Sequence, residues 1–398
     1  MFKGCTSLVQ APELPAVSLA VSCYQEMFMG CTALVSAPPE LSATGLFSSC
    51  YYDMFNGCLA LTNAMAVLPA TASAESCYRE MFQNCISLNL APEIRLQDIG
   101  ASSCRAMFNG CTSLVTATGL ENAESVGSYG CYFMFRNCGE LITTPSVLKA
   151  TTLSESAYDQ MYYGCAKITA APDIQATSVA SKSCFQMFYG CRRLRTAPPR
   201  LAVAVVEQQA FKEMFRGCAS LASAPDFTGM TTVGEEGCMD MFNGCSNLTV
   251  PPALPATGLG KSAYQGMFKG SAVSSAPELP AVTLAQQCYQ SMFEGCKYLE
   301  GPVMLFAPTL VTECYKNMFT GASLLNSVVC LATSGISTAN CADWLKNVSA
   351  TGTFMRPAGV DSWTLDSGSG IPTGWVAYDT GIDPIFPGGG PFDPEEEI

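Results

Sequence analysis

Not one of the 398 residues is a histidine, and only 13% are charged. Without His, the usual base for a Ser or Cys nucleophile is missing, as is the commonest nitrogen ligand for a metal. Zinc sites built on sulfur alone want Cys at spacings such as Cys-x-x-Cys, and the 22 cysteines include no such pair. There is no Gly-x-Gly-x-x-Gly and no Walker pattern to cradle a phosphate cofactor. Basic residues are scarce: 20 Lys and Arg stand against 33 Asp and Glu, and of the net charge of −13, −7 lies beyond residue 350. No Lys/Arg cluster stands out as a means of displacing phosphate counterions, which argues against nucleic acid as a partner. No apolar run reaches the roughly 18 residues that cross a bilayer, so membrane insertion is not expected. The opening MFKGCTSLVQAPELP lacks a basic segment, apolar run and small-residue cleavage site, which leaves two readings: no export by that route, or a leader missing from this chain.

What is abundant is apolar and periodic. Hydrophobic residues make up 48%, and a Met recurs thirteen times from Met1 and Met27 to Met318 at spacings of 25 to 27. An aromatic follows each one, Phe at twelve positions and Tyr162 at the other. The unit reads Cys-Tyr-x-x-Met-Phe-x-Gly-Cys-x-x-Leu-x-x-Ala-Pro-x-Leu-Pro-Ala. A period in this range means stacked repeats, none of which buries its apolar stripe alone. Cys23, Met27 and Cys31 at i, i+4 and i+8 predict a short helix, with Gln25 and Glu26 turned outward. The residue before the second Cys is Gly in eleven repeats and Asn84 or Asn137 in the other two, the pair that best tolerates a left-handed backbone. The second half, as in Cys5 to Ala16, is too proline-rich for another helix and predicts a brief parallel strand near Ser7 to Ala11, ended by Pro12. The fold class expected is an α/β repeat solenoid, leucine-rich-repeat-like, of about 13 repeats of 25–27 residues, each a short helix plus a short parallel strand, with a C-terminal cap.

These residues resemble the BspA-like leucine-rich repeats, in which an aromatic-x-Gly-Cys-x-x-Leu segment leads into a strand ending in Pro. The likeness covers about residues 1–326, and the Met-Phe-x-Gly-Cys form is similar to the variant of gut-bacterial surface proteins and their phages. The resemblance implies a surface or secreted recognition and adhesion protein without catalysis, extracellular or on the cell surface, with a host or cell-surface protein or glycan as partner. A structural virion component, such as a tail or head fibre, or an end-to-end filament subunit is the alternative.

The cysteines read as packing. Eleven follow the Gly or Asn and nine precede the Met, and the two groups are replaced independently: Ala157 faces Cys165, Ala210 faces Cys218, and Cys314 stands beside Ala322. Buried thiol ladders are favoured over bonds between repeats, since free Cys packs as a small hydrophobe. Cys330 and Cys341 lie outside both groups and remain open as a bridged pair. Acids before the Met (Glu26, Asp53, Glu80, Glu213, Asp240) share their slot with Ala106, Phe133 and Gly266, as on a solvated face rather than in an acid–base site. No catalytic, cofactor-binding or metal residue emerges, no cofactor is implied, and the ligand-binding residues are unknown. Variable positions such as Lys3, Met29, Asn56, Gln83, Arg136 and Tyr189 are the ones free to carry specificity. The domains expected are 1–326 solenoid, 327–379 capping module holding Trp344, Trp363 and Trp375, and 380–398 Gly/Pro-rich acidic tail. Because Met1 falls on the repeat Met, the first unit is half a repeat, and a second copy, a partner or an upstream segment is expected to stack on that end.

Overall fold

In each repeat the apolar residues face inward as pairs, four residues apart. Cys50 and Tyr51, Met54 and Phe55, then Cys58 are buried, while Tyr52, Asn56 and Gly57 reach the surface between them. The computed structural model describes residues 1–380 apart from Thr118 and Ser367, so the sequence beyond Thr380 lies outside the described residues.

The backbone that achieves this pattern is a ribbon of β-turns and not a helix. Between Ala20 and Cys31, the N–H groups of Cys23, Gln25, Met27, Met29 and Cys31 each donate to the carbonyl three residues back. The alternate N–H groups, of Ser22, Tyr24, Glu26, Phe28 and Gly30, donate to Ser48, Cys50, Tyr52, Met54 and Asn56 of the next repeat at 2.8–3.0 Å. Every fourth residue has a positive φ: 56° at Ser22, 55° at Glu26 and 72° at Gly30, each in the third position of a type II turn. The expected short helix over Cys23–Cys31 is thereby corrected, and the α-helix Thr338–Cys341 is the sole one among the described residues. The physical reason lies in the spacing. A 3.6-residue helix and a four-residue turn unit diverge by only about 80° over eight residues, less than the width of an apolar stripe, so nine letters fit both. The Gly/Asn exchange had a sound cause, since Asn84 and Asn137 hold φ of 59° and 61°, but the left-handed residue closes a turn within the ribbon rather than a helix.

After the ribbon, a turn such as Cys31–Leu34 leads into one- and two-residue parallel contacts. Gln10, Ser36 and Asn63 bridge in succession, as do Leu90, Thr116 and Thr143. Glu93–Ile94 pairs with Val67–Leu68, and Asp98–Ile99 with Ser125–Val126, all parallel and in register. Prolines punctuate these segments and keep each contact short. At the C-terminal end the contacts lengthen into a four-stranded parallel sheet in the order Val303–Leu305, Ser327–Cys330, Gly352–Pro357, Trp375–Thr380. The ribbon also runs one turn past Met318: Phe319 donates to the Trp344 carbonyl, and Asp343 and Asn347 repeat the positive φ.

The core is a column of rings. Phe2, Phe28, Phe55, Phe82, Phe108, Phe135, Tyr162, Phe188, Phe215, Phe242, Phe268, Phe293 and Phe319 stack with centroids 5.4–5.7 Å apart and planes within 14°. At that spacing parallel rings are slipped, the arrangement the ring quadrupole prefers. Trp344 closes the stack against Tyr315 and Phe319. The Tyr162 hydroxyl is buried in this column without a partner. Tyr162→Phe, the residue of the other twelve rungs, is expected to raise stability by about 1–3 kcal/mol by removing an unpaired polar atom. A thermal melt in which the variant is no more stable than the parent would defeat that account.

All 22 cysteines are free, and all but Cys5 and Cys23 are buried. They fall into different roles. The thiol after each Gly or Asn, from Cys31 to Cys296, donates to the carbonyl of the stacked aromatic in the preceding repeat, Tyr162 for Cys191 and Phe for the others, at 3.0–3.2 Å. That carbonyl already accepts a turn bond, so the sulfur occupies its second lone pair; these residues are donors as well as filler. Among the cysteines before the Met, Cys104, Cys131, Cys184 and Cys238 take the slot that Tyr24 or Tyr51 fills elsewhere. Burial pushes the thiols up, for instance Cys58, Cys111 and Cys165 to about 12, which keeps them protonated and unreactive. The open question of Cys330 and Cys341 resolves in the same way: both are free, and Cys341 donates to the Ser337 and Ser369 carbonyls.

Candidate functional site

The ribbon turns three parallel columns of side chains outward, at the positions of Gln25, Glu26 and Met29; most are half-buried, and Asp53 and Ala106 are buried, so the middle column is not the solvated face expected. Because each rung repeats every 25 to 27 residues, a residue meets its counterparts in the two neighbouring repeats more closely than most residues of its own. The variable positions Lys3, Met29, Asn56, Gln83, Arg136 and Tyr189 all fall in one of these columns. The five acids of the middle column sit on positive-φ residues and are largely engaged: Lys3 pairs with Glu26, Arg79 with Glu80, and Arg216 with both Glu213 and Asp240. Amides continue the pattern, Asn56 donating to Gln83 at 3.1 Å and Gln186 to Glu213 at 2.9 Å.

Near the centre of the face the columns change character. Arg79 lies over the Tyr52 ring at 5.0 Å and Arg105 over Tyr132 at 5.1 Å. Tyr132 stacks on Phe133 at 3.7 Å, and the Arg136 guanidinium is held between the Phe133 and Tyr163 rings at 4.4 and 5.0 Å. Tyr163 then stacks on Tyr189 at 4.8 Å, with Arg216 beyond it at 6.0 Å. These side chains are half-buried, so each rigid ring shows part of its surface to solvent. Guanidinium on an aromatic face is favourable by about 0.5–1 kcal/mol where water has access and by more as water is excluded, which fixes the array before any ligand arrives.

Asp159 stands in the middle of this array, on the rung between Tyr132 and Phe185. Its carbonyl accepts from Phe133, and Gln160 next to it donates to Phe185. It is 4% exposed, and its Oδ1 has no partner, nor has the buried Nε of Arg136. Burial raises the carboxyl to about 7, a rise that Ser156, Lys182 and Arg136 only partly oppose. An unpaired acceptor and an unpaired donor thus share one aromatic-lined patch. Such a patch can grip a ligand that offers hydroxyl or amide groups beside an apolar face.

Other regions offer less. Trp344, Trp363 and Trp375 are buried, and their indole N–H groups donate to Gly370, Ala332 and Ser349 carbonyls, so no tryptophan face is left for a sugar. Among the described residues no group of three His, Cys, Asp or Glu could hold a metal, and no helix is long and apolar enough to cross a membrane. The stretch CRRLRTAPPR places Arg192, Arg193, Arg195 and Arg200 within nine residues, all exposed. The expectation that no basic cluster stands out is corrected there. The net acidity of the chain concealed a local surplus.

No protein-family model matches the chain, and no curated protein matches it. The solved structures similar to it include a leucine-rich repeat protein of Bacteroides ovatus, 17% identical over 67% of this chain and 78% of that one, with a TM-score of 0.29. A leucine-rich cell surface protein of Faecalibacterium prausnitzii is 16% identical over 88% of this chain and 79% of its own, with a TM-score of 0.36. The T. pallidum leucine-rich repeat protein is 22% identical over 54% and 78%, at 0.27. The repeat architecture rests on this chain's own ladder and ring stack, not on scores of that size.

Proposed function

We propose that the chain is a non-enzymatic recognition solenoid of the BspA-like leucine-rich-repeat kind, which binds protein or glycan ligands at a cell surface through the outward columns of its turn ribbon. One observation carries the reading: the inward columns hold Met, aromatic and small residues throughout, while the outward columns change from repeat to repeat and converge at the centre on a preformed aromatic–guanidinium array. A constant core with a varied face is how repeat scaffolds separate stability from specificity.

The test is a binding screen of the full chain against cell-surface proteins and glycans, repeated with Tyr163→Ser and Tyr189→Ser combined. Rings of this kind serve as interface anchors, and their loss is expected to weaken binding by about 2 kcal/mol or more while the melting temperature moves little. A screen that retains no ligand, or binding indifferent to the pair of substitutions, would sink the proposal.

A further inference from the structure

The basic run Arg192 to Arg200 lies on a different part of the molecule, at the corner where each ribbon turns toward its strand contacts. Arg192 and Arg193 are the two central residues of the turn Cys191–Leu194, closed by the Leu194 N–H to the Cys191 carbonyl. Arg195 follows in the ladder, donating its N–H to Thr169 and accepting from Ala222. Among the described residues no ion pair includes any of the four, though Arg200 stands opposite an acid, Asp226, in a parallel backbone bridge. In the turn one repeat earlier, Lys167 is already paired with Glu140. In the next two repeats the corresponding turns carry Ala219 and Ser220, then Ser246 and Asn247, with no charge at all. Those small residues leave a shallow open cleft of about 410 Å³, lined by Arg195, Ser220, Ser246, Asn247 and two alanines.

Three guanidinium groups thus stand unneutralised beside a trough of hydroxyls and an amide, on a chain of net charge −13. We infer that this corner binds an acidic polysaccharide, with Arg192, Arg193 and Arg195 on its sulfate or carboxylate groups and Ser220, Ser246 and Asn247 on its sugar hydroxyls. Guanidinium forks match both anions in geometry. Nucleic acid is the weaker fit, because the cluster is small, carries no aromatic for base stacking, and sits on a body whose net charge repels a dense polyanion. The site is separate from the ribbon face and stands or falls independently of the function proposed there.

The experiment measures binding of the full chain to chondroitin sulfate and to polygalacturonate, with neutral dextran and a DNA duplex alongside, over a range of salt. The chain is expected to bind at least one acidic polysaccharide and not dextran, with log affinity falling against log salt at a slope of roughly 2 to 3, one counterion per Arg. The ratio between the two acidic polymers tells sulfate from carboxylate. Arg193→Ser with Arg195→Ser is expected to weaken binding about ten-fold or more, the loss of charge-assisted hydrogen bonds. Arg200→Ser is expected to change it by less than about two-fold, since that charge has Asp226 opposite it. Both variants alter exposed side chains, and an unchanged melt confirms that they fold. Failure to bind either acidic polymer, an unaltered affinity in the double variant, or tighter binding to DNA lost in that variant would each overturn the assignment.

Discussion

Phe135→Ala is expected to cost about 3–5 kcal/mol, the range for truncating a buried aromatic. The ring lies between Phe108 at 5.4 Å and Tyr162 at 5.5 Å, with no exposed surface, so the cavity opens between two rigid neighbours that the ladder holds apart. The hydrogen bonds from Phe135 N–H to Met161 and from Phe108 to Met134 fix that separation, so collapse into the gap is resisted. Since a repeat touches only its neighbours, the damage is expected to be local. Hydrogen exchange should quicken in the repeats around Met107, Met134 and Met161 and remain slow toward both ends. A loss below about 1 kcal/mol, or exchange that quickens evenly along the chain, would contradict a column of nearest-neighbour contacts.

The second large effect concerns pH. Asp159 has its carboxyl raised to about 7 by burial, against an ordinary value near 3.8. Between those values the folded chain holds a proton at this group that the unfolded chain has released, so the contribution of Asp159 to stability is greatest below pH 4, falls as the pH rises toward 7, and is level beyond. A displacement of that size corresponds to up to about 4 kcal/mol. Asp159→Asn keeps the shape without the charge. Denaturant midpoints are expected to show a flatter profile for the variant between pH 4 and 7 and greater stability above pH 7. The same slope in parent and variant would mean that the carboxylate is solvated in the folded protein.

Which parts were legible in the sequence follows from how far each signal reaches. The period, the Met and aromatic columns and the Gly-for-Asn exchange are repeated many times, and repetition within one chain substitutes for comparison between chains. The turn ribbon was not legible because its apolar positions satisfy two geometries over nine residues. The discriminating clue was Gly266, standing in the slot of Glu26 and Asp53: a glycine at a second position four residues before the first points to more than one left-handed residue per repeat, which no helix allows. Of the proposed binding face, the variable column was legible but its chemistry was not. Arg79 meets Tyr52, and Tyr163 meets Tyr189, across 26 or 27 residues, so the pairs exist only once repeats are laid one upon another. Asp159 gave no sign, since its isolation depends on the bulk of Tyr132 and Phe185 on either side. The arginine run was visible as letters and was masked by an acidic total.

The alternation of bonds in the ribbon also has a mechanical consequence. Every second N–H points along the solenoid axis, so each repeat is tied to the next by five such bonds between Ser22 and Gly30 alone. A load pulling the two ends apart along the axis is shared by the whole set at each junction, and rupture requires them to fail together. A load that lifts one edge of a repeat meets the bonds singly, in sequence. The solenoid is therefore built to carry tension along its length and to yield to peeling from its side.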